Sequence, residues 1–255
     1  MSQSLARALA ILGELGAGER SLDDLAGSLD VHKTTVLRLL RTLESDRFVR
    51  RDDHHRYTLG SRLFELGASS LEQHAVRDIA LPHLRSLGRE TGGQAVHLAV
   101  LEGDHAVYVA KVESTNPVRM YSQVGLPAPV HATAVGKVLA SDLPERQLSA
   151  LLADLDYHAF TARTITDESS FRAALAEARE RGWAEDAAEH EDFVNCIGAP
   201  VHDPSGRVVA AASISVPTVI LDHDRVRALL PRLLATTAAV EAAWAGEPTT
   251  ERSST

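Results

Sequence analysis

Residues 21–40, SLDDLAGSLDVHKTTVLRLL, constrain this chain more than any other stretch. Ser21 is a good helix N-cap, and Asp24 three residues on is an acidic variant of the capping box. Leu22, Leu25, Ala26 and Leu29 then form one apolar stripe at helical spacing. The chain breaks at Asp30–Val31. A second helix follows, with Val36, Leu39, Leu40 and Leu43 on its buried side. Its opposite side shows Lys33, Thr34, Thr35, Arg38, Arg41 and Thr42. These residue types bind phosphates and base edges, and they sit at the start of a helix, as a recognition helix requires. The next run, FVRRDDHHRYTLG at 48–60, gives two short strands, Phe48–Arg50 and Tyr57–Leu59. They flank a turn of charged and imidazole side chains. The whole reads as a winged helix-turn-helix. A plain amphipathic helix pair with a solvated turn is the bland alternative.

The net charge of −9 argues against nucleic acid at first sight. Its distribution reverses that argument. Residues 32–62 hold eight Lys/Arg against four acids, whereas residues 63–255 hold 16 against 26. A small cationic surface is therefore carried on an acidic body, which discourages indiscriminate sticking to DNA. Cys196 is the only cysteine, so no intrachain disulfide can form. The N-terminus shows no signal-peptide pattern, and no apolar run approaches the ~20 residues that span a bilayer. The expectation is a soluble cytoplasmic protein with no membrane partner.

Along the chain, Ser4–Leu15 is expected as a first helix with Leu5, Ala8, Leu9, Leu12 and Leu15 on one side. Ser61–His74 reads as a helix linking two domains, and Ala75–Glu90 as a further helix. Gln94–Leu101 and His105–Val112 form a strand hairpin around Gly103–Asp104. Val118–Val124 is expected as a third strand, after which Pro127 and Pro129 break the chain. His131–Lys137 opens a helix. Glu145–Ala153 and Asp167–Arg181 are helices. Trp183–Ala188, Val194–His202 and Val208–Val216 are strands, the last two joined by a type I turn at Asp203–Gly206. One final helix is expected from Asp222 to Trp244. These elements give an α+β chain. Residues 1–62 form the winged helix-turn-helix domain (helix-turn-helix 21–40, wing 48–60). Residues 63–245 form a second α/β domain that takes in the linker helix 61–74. The tail 246–255 is expected to be disordered.

Catalytic motifs are absent: no G-x-S-x-G, Walker A, H-E-x-x-H or C-x-x-C occurs. The twelve histidines do not fall into metal-ligand spacing, although His97, His131, His190 or His202 could still meet in space. No metal, cofactor or catalytic residue is expected. Cys196 is open to two readings, a nucleophile or a buried small hydrophobe between Val194 and Ile197; the second is preferred. Three polar features remain. Asp186 precedes an acidic loop. Ser213 and Ser215 alternate in the strand AAASISV, so both hydroxyls point to one face, as binding groups or as satisfied core serines. The start of the HATAVGK helix offers free N–H groups to an anion.

Seven segments in order then resemble the IclR-type transcriptional regulators: SLARALAIL (4–12), DVHKTTVLRLLRTLE (30–44), RYTLGSRL (56–63), LPAPVHATAVGKVLA (126–140), TARTITD (161–167), RGWAEDAAE (181–189) and CIGAPVHDPSGRVVAAASISVP (196–217). The resemblance covers about residues 4–245. It implies a winged helix-turn-helix, a linker helix and a C-terminal effector-binding domain of GAF-like or profilin-like fold with an antiparallel sheet. It also implies a homodimer or dimer of dimers on a palindromic operator in double-stranded DNA. By motif position it implies an effector held at the backbone of Ala134 and Val135 and by Asp186, Cys196, Ser213 and Ser215, with Met120 and Val194 on the apolar side. Base contacts are expected from Thr34, Thr35 and Arg38. Phosphate contacts are expected from Lys33, Arg41, Arg51, His54, His55 and Arg56. Two departures stand out: Ala187 and Ala188 where relatives carry acids, and Asp192-Phe193 where a glycine is common. Phe193 is expected to narrow the pocket. Asp186 beside a carboxylate is repulsive unless a proton is shared, so the expected effector is a hydroxylated small acid or a neutral hydroxyl or amide metabolite. The expected role is a repressor of a catabolic operon. An activator on the same scaffold and, remotely, a Cys-dependent hydrolase are the alternatives.

Overall fold

The computed structural model describes residues 2–118 and 120–246. They form two compact units that divide after Gln73. In the first unit, α1 (Gln3–Gly16) leads through β1 (Arg20–Ser21) into α2 (Leu22–Ser28) and α3 (Lys33–Ser45). Ser21 caps α2 as its sequence suggests: Asp24 N donates to Ser21 Oγ at 3.1 Å, and Ser21 N donates to the Asp24 carboxylate at 2.9 Å. Leu25, Val36 and Leu40 of the two helices are buried with Ile11 and Leu15 of α1. β2 (Val49–Arg51) and β3 (Arg56–Leu59) form the wing, with β1 adding a third antiparallel strand beside β3. The two-residue β1 is too short to leave a periodic signal. α4 (Arg62–Glu72) closes the unit. Glu65 pairs with Arg62 within the helix and with Arg47 at 2.7 Å, the second pair tying this helix to the first unit, and the compact division falls after it rather than near residue 62.

The second unit is a six-stranded antiparallel sheet flanked by helices. α5 (Ala75–Glu90) is followed by β4 (Ala95–Glu102), β5 (His105–Val112), β6 (Pro127–Pro129), α6 (Ala134–Ser141), α7 (Glu145–Asp154), α8 (Glu168–Arg181), β7 (Ala184–Ala187), β8 (Val194–His202), β9 (Val208–Pro217), α9 (His223–Arg227) and α10 (Leu230–Gly246). Strand order is β6-β5-β4-β9-β8-β7. Period-2 alternation splits the sheet into two faces. Val96, Leu98, Ala212 and Ile214 pack against Leu84 and Leu87 of α5 and Leu233 and Val240 of α10. Ala99 and Ala211 face the other way, onto Val135, Val138 and Leu139 of α6 and Ala178 of α8. The odd-numbered residues of β4 and β9, His97, Ser213 and Ser215 among them, therefore belong to the α6 side.

Four expectations are corrected. Of the expected α1 face, Leu15 is buried and Ala8 and Leu12 pack against the same core, joined by Ile11, but Leu5 and Leu9 are each 59% exposed. Residues 118 and 120–124 form no strand; the third strand of this region is β6, between the prolines expected to break the chain. Proline lacks an N–H, but β6 is an edge strand and bonds only to β5, so no ladder partner is wasted. The single C-terminal helix is two, α9 and α10. Pro231 inside a continuous helix would remove a backbone donor and crowd the preceding turn, whereas it is tolerated in the first turn of a new one, and the chain turns at Ala228–Leu229. Phe193 is 44% exposed and lies outside the cavity described below. The expected tail lies outside the described residues beyond Gly246.

Candidate functional site: a DNA-reading face and a polar cavity

On the first unit, α3 buries Val36, Leu39 and Leu40 and leaves Lys33, Thr34, Arg38 and Arg41 exposed, with Thr35 half-buried. The wing turn is set by Asp52, whose Oδ1 accepts from His54 N at 3.0 Å and Arg56 N at 2.8 Å. These bonds hold the Asp52 carboxyl below the usual range. Arg51, His54 and His55 are exposed at its tip. Two of the expected phosphate binders are engaged within the unit: Lys33 pairs with Asp23 at 2.8 Å, and Arg56 pairs with Glu19 at 2.8 Å. The Lys33 pair is open to water, so a phosphate can take that cation at small cost, whereas Arg56 is half-buried with its Nε turned away from solvent.

On the second unit, a cavity of about 410 Å³ lies on the α6 side of the sheet. Sheet register builds its floor. Asp186 of β7, Cys196 of β8 and Ser215 of β9 are successive cross-strand partners, and Gly198, Ser213 and His97 make the next row. A Cβ on Gly198 would lie 3.0–3.2 Å from Ala134, so glycine lets the start of α6 settle close to the sheet. Thr133 caps α6 by accepting from Gly136 N, which places Ala134 and Val135 at the cavity wall. Met120 and Val194 line the apolar side. All eight residues expected at an effector thus border one space. The cavity adds His97, Tyr108, Ser122, His190 and Glu191. His97 and His190 are two of the four histidines that could meet in space, and the place of His97 follows from its pairing with Ser213.

Electrostatics sharpen the picture. Asp186 is 2% exposed, and burial pushes its carboxyl up to about 7, helped by the nearby Glu189 charge and opposed by the bond from Glu189 N and by Lys137. That bond, Glu189 N to Asp186 Oδ1, is 2.7 Å. Lys137 of α6 lies behind the loop, donating to Glu185 O at 2.9 Å and to the Glu189 carboxylate at 2.6 Å. Thr161 and Thr164 donate to Ala188 O and Glu189 O at 2.8 and 2.6 Å, fixing Ala188 at φ 61°. Burial and the Lys111 charge push His97 down to about 3, so its ring stays neutral, with Nε2 2.8 Å from Ser122 Oγ. Burial, then the Asp186 charge, push the half-buried Cys196 thiol well up. A protonated thiol is the opposite of what a nucleophile needs. Among the described lining residues there are two acids and no Lys or Arg. Among the described residues no group of three His, Cys, Asp or Glu is placed to hold a metal. His131 Nε2 instead meets His158 O, and His202 meets Glu241. No helix among them is long and apolar enough to cross a membrane.

A winged helix-turn-helix joined to a sheet domain with a polar-floored cavity is the build of a DNA-binding regulator with a small-molecule sensor. The family described as the bacterial transcriptional regulator IclR C-terminal domain matches residues 68–242, and the IclR helix-turn-helix domain matches residues 4–53. The HTH-type transcriptional regulator XynR of Escherichia coli (strain K12) is 37% identical over 223 residues, covering 86% of this chain and 88% of that one. The HTH-type transcriptional repressor AllR of the same strain is 34% identical over 227 residues, covering 88% and 83%. A crystal structure of a transcriptional regulator from Rhodococcus sp. RHA1 superposes with a TM-score of 0.82 at 31% identity, covering 96% of this chain and 99% of that one. The chain belongs to the IclR family of bacterial transcriptional regulators.

Proposed function

We propose that this protein is a ligand-released repressor of a catabolic operon. Its operator affinity is set by a small metabolite in the cavity of the second unit. The observation that carries the reading is the cavity floor, where Asp186, Cys196, Ser213 and Ser215 meet the first turn of α6. Their hydroxyls, backbone N–H groups and a carboxyl that titrates near neutrality suit a hydroxylated small acid or a neutral hydroxyl or amide metabolite. The repressor sign is supported by the similarity to AllR, itself named a repressor. On DNA, a homodimer or pair of dimers would sit on a palindromic site. Thr34, Thr35 and Arg38 would meet base edges in the major groove, and Lys33, Arg41, Arg51, His54, His55 and Arg56 would meet phosphates. The effector acts only by binding one conformation more tightly than the other.

DNase footprinting of the intergenic DNA upstream of the protein's own gene, with a metabolite panel, tests this. The expected result is a protected palindrome that one metabolite releases. Protection that the active metabolite strengthens would reverse the sign of regulation. An Asp186→Ala variant that keeps the full response to every metabolite would remove the cavity from the account.

A further inference from the structure

The residue before the recognition helix is His32, and its side chain caps that helix. Thr34 N donates to His32 Nδ1 at 3.3 Å, and Thr34 Oγ1 lies 2.8 Å from the same nitrogen. Backbone bonds fix the ring's carrier: His32 O accepts from Thr35 N at 2.9 Å and from Val36 N at 3.4 Å. A nitrogen that accepts from a backbone N–H carries its lone pair and no proton. The hydroxyl 2.8 Å away must then turn its hydrogen toward that lone pair. Thr34 is left with only oxygen lone pairs facing outward from an exposed position at the start of α3.

We propose that His32 is a specificity-determining positioning residue, which fixes the Thr34 hydroxyl as a hydrogen-bond acceptor toward DNA. A free threonine hydroxyl donates or accepts and so reads any base edge. A hydroxyl held as an acceptor selects an edge that offers a donor. In the major groove those edges are the N6 amino group of adenine and the N4 amino group of cytosine. Guanine offers only N7 and O6 there, and thymine offers O4 and a methyl group. The contacted base is therefore adenine or cytosine. The inference rests on the reading that Thr34 touches a base edge.

The test is selection of bound duplexes from a double-stranded library with a randomised centre. Affinities are then measured on four duplexes that differ only at the Thr34-dependent position. The full-length protein should prefer one base pair there by about fivefold, the worth of one hydrogen bond, and should lose that preference when the pair's adenine N6 or cytosine N4 amino group is removed by a purine or 2-pyrimidinone analogue. His32→Asn keeps a capping acceptor and should keep that preference. His32→Ala frees the hydroxyl and should shrink it below about twofold, with preferences elsewhere in the site unchanged. A purely structural cap would instead lower affinity evenly on all four duplexes. Retained preference in His32→Ala, or a wild-type preference that survives removal of the pair's amino group, overturns the proposal. Thr34→Val that changes no base preference overturns the base contact beneath it, separately from the role of His32.

Discussion

The two units solve the placing of polar groups in opposite ways. In the first, the functional side chains stand in water around a small apolar core. Lys33, Thr34, Arg38 and Arg41 share the exposed side of one helix, and Arg51, His54 and His55 share one turn. In the second, polar groups are buried: Asp186, Lys137, Glu189, His97, Ser213 and Ser215 are all within the core. An exposed group costs little and is free to meet a large charged partner. A buried group is stable only in a complete network, and it meets only what the cavity admits. The comparison predicts that charge removal in the second unit acts on stability first, and in the first unit on DNA.

The largest effect is expected at Lys137. Lys137→Met leaves the Glu189 carboxylate buried without its partner. It should destabilise the second unit by about 3–5 kcal/mol, read as a lowered unfolding midpoint in urea. A loss below 1 kcal/mol would mean that water reaches this pair, and the contrast between the units would fail.

Asp186 comes next, and its effect depends on pH. Its folded carboxyl titrates near 7, above the ordinary 3.8. The group's stabilising contribution is thus complete below about pH 4 and is lost as pH rises through 7. Asp186→Asn removes that slope. The variant should gain on the parent between pH 4 and 7 by an amount on the order of a few kcal/mol, measured by urea unfolding across pH. Parallel stability curves for the two proteins would show that the carboxyl is solvated in the cavity.

At the first unit's end of the scale, Ser21→Ala breaks the capping box of α2. The expected cost is about 1 kcal/mol. It should appear in the unfolding of the first unit, and Ser21→Asp should restore it.

These contrasts also explain what could be read from sequence. The capping box, the stripes of α2 and α3 and the wing were legible because local periodicity and charge carry them. Leu5 and Leu9 of α1 misled because apolar spacing shows that a face exists without showing what covers it. The cavity was legible in its pieces: Ser213 and Ser215 share a face by alternation, and Asp186 and Cys196 came by resemblance. What joined them was register, Asp186 beside Cys196 beside Ser215, which arises between segments far apart in the chain. Lys137 and Glu189 left no signal because ionic partners 52 positions apart look like two ordinary surface charges. β6 hid for the opposite reason, since prolines that usually end strands are harmless at an edge.

The smallest stability effect is expected at Lys33, and it isolates the difference between the units. Its partner Asp23 is 2.8 Å away, as close as many buried pairs, yet the two side chains are 58% and 68% exposed. Water screens the attraction, and holding the long lysine side chain in one geometry costs entropy. Lys33→Met should therefore change unfolding free energy by no more than about 0.5 kcal/mol. Its effect on DNA should be plain: one fewer phosphate contact lowers the slope of log affinity against log salt by about 0.9, uniformly across operator sequences. The same chemical change, Lys→Met beside a carboxylate, would then unsettle the fold at position 137 and only the DNA complex at position 33. If Lys33→Met leaves the salt slope unchanged, the Asp23 pair persists on DNA and Lys33 belongs to the head's internal structure.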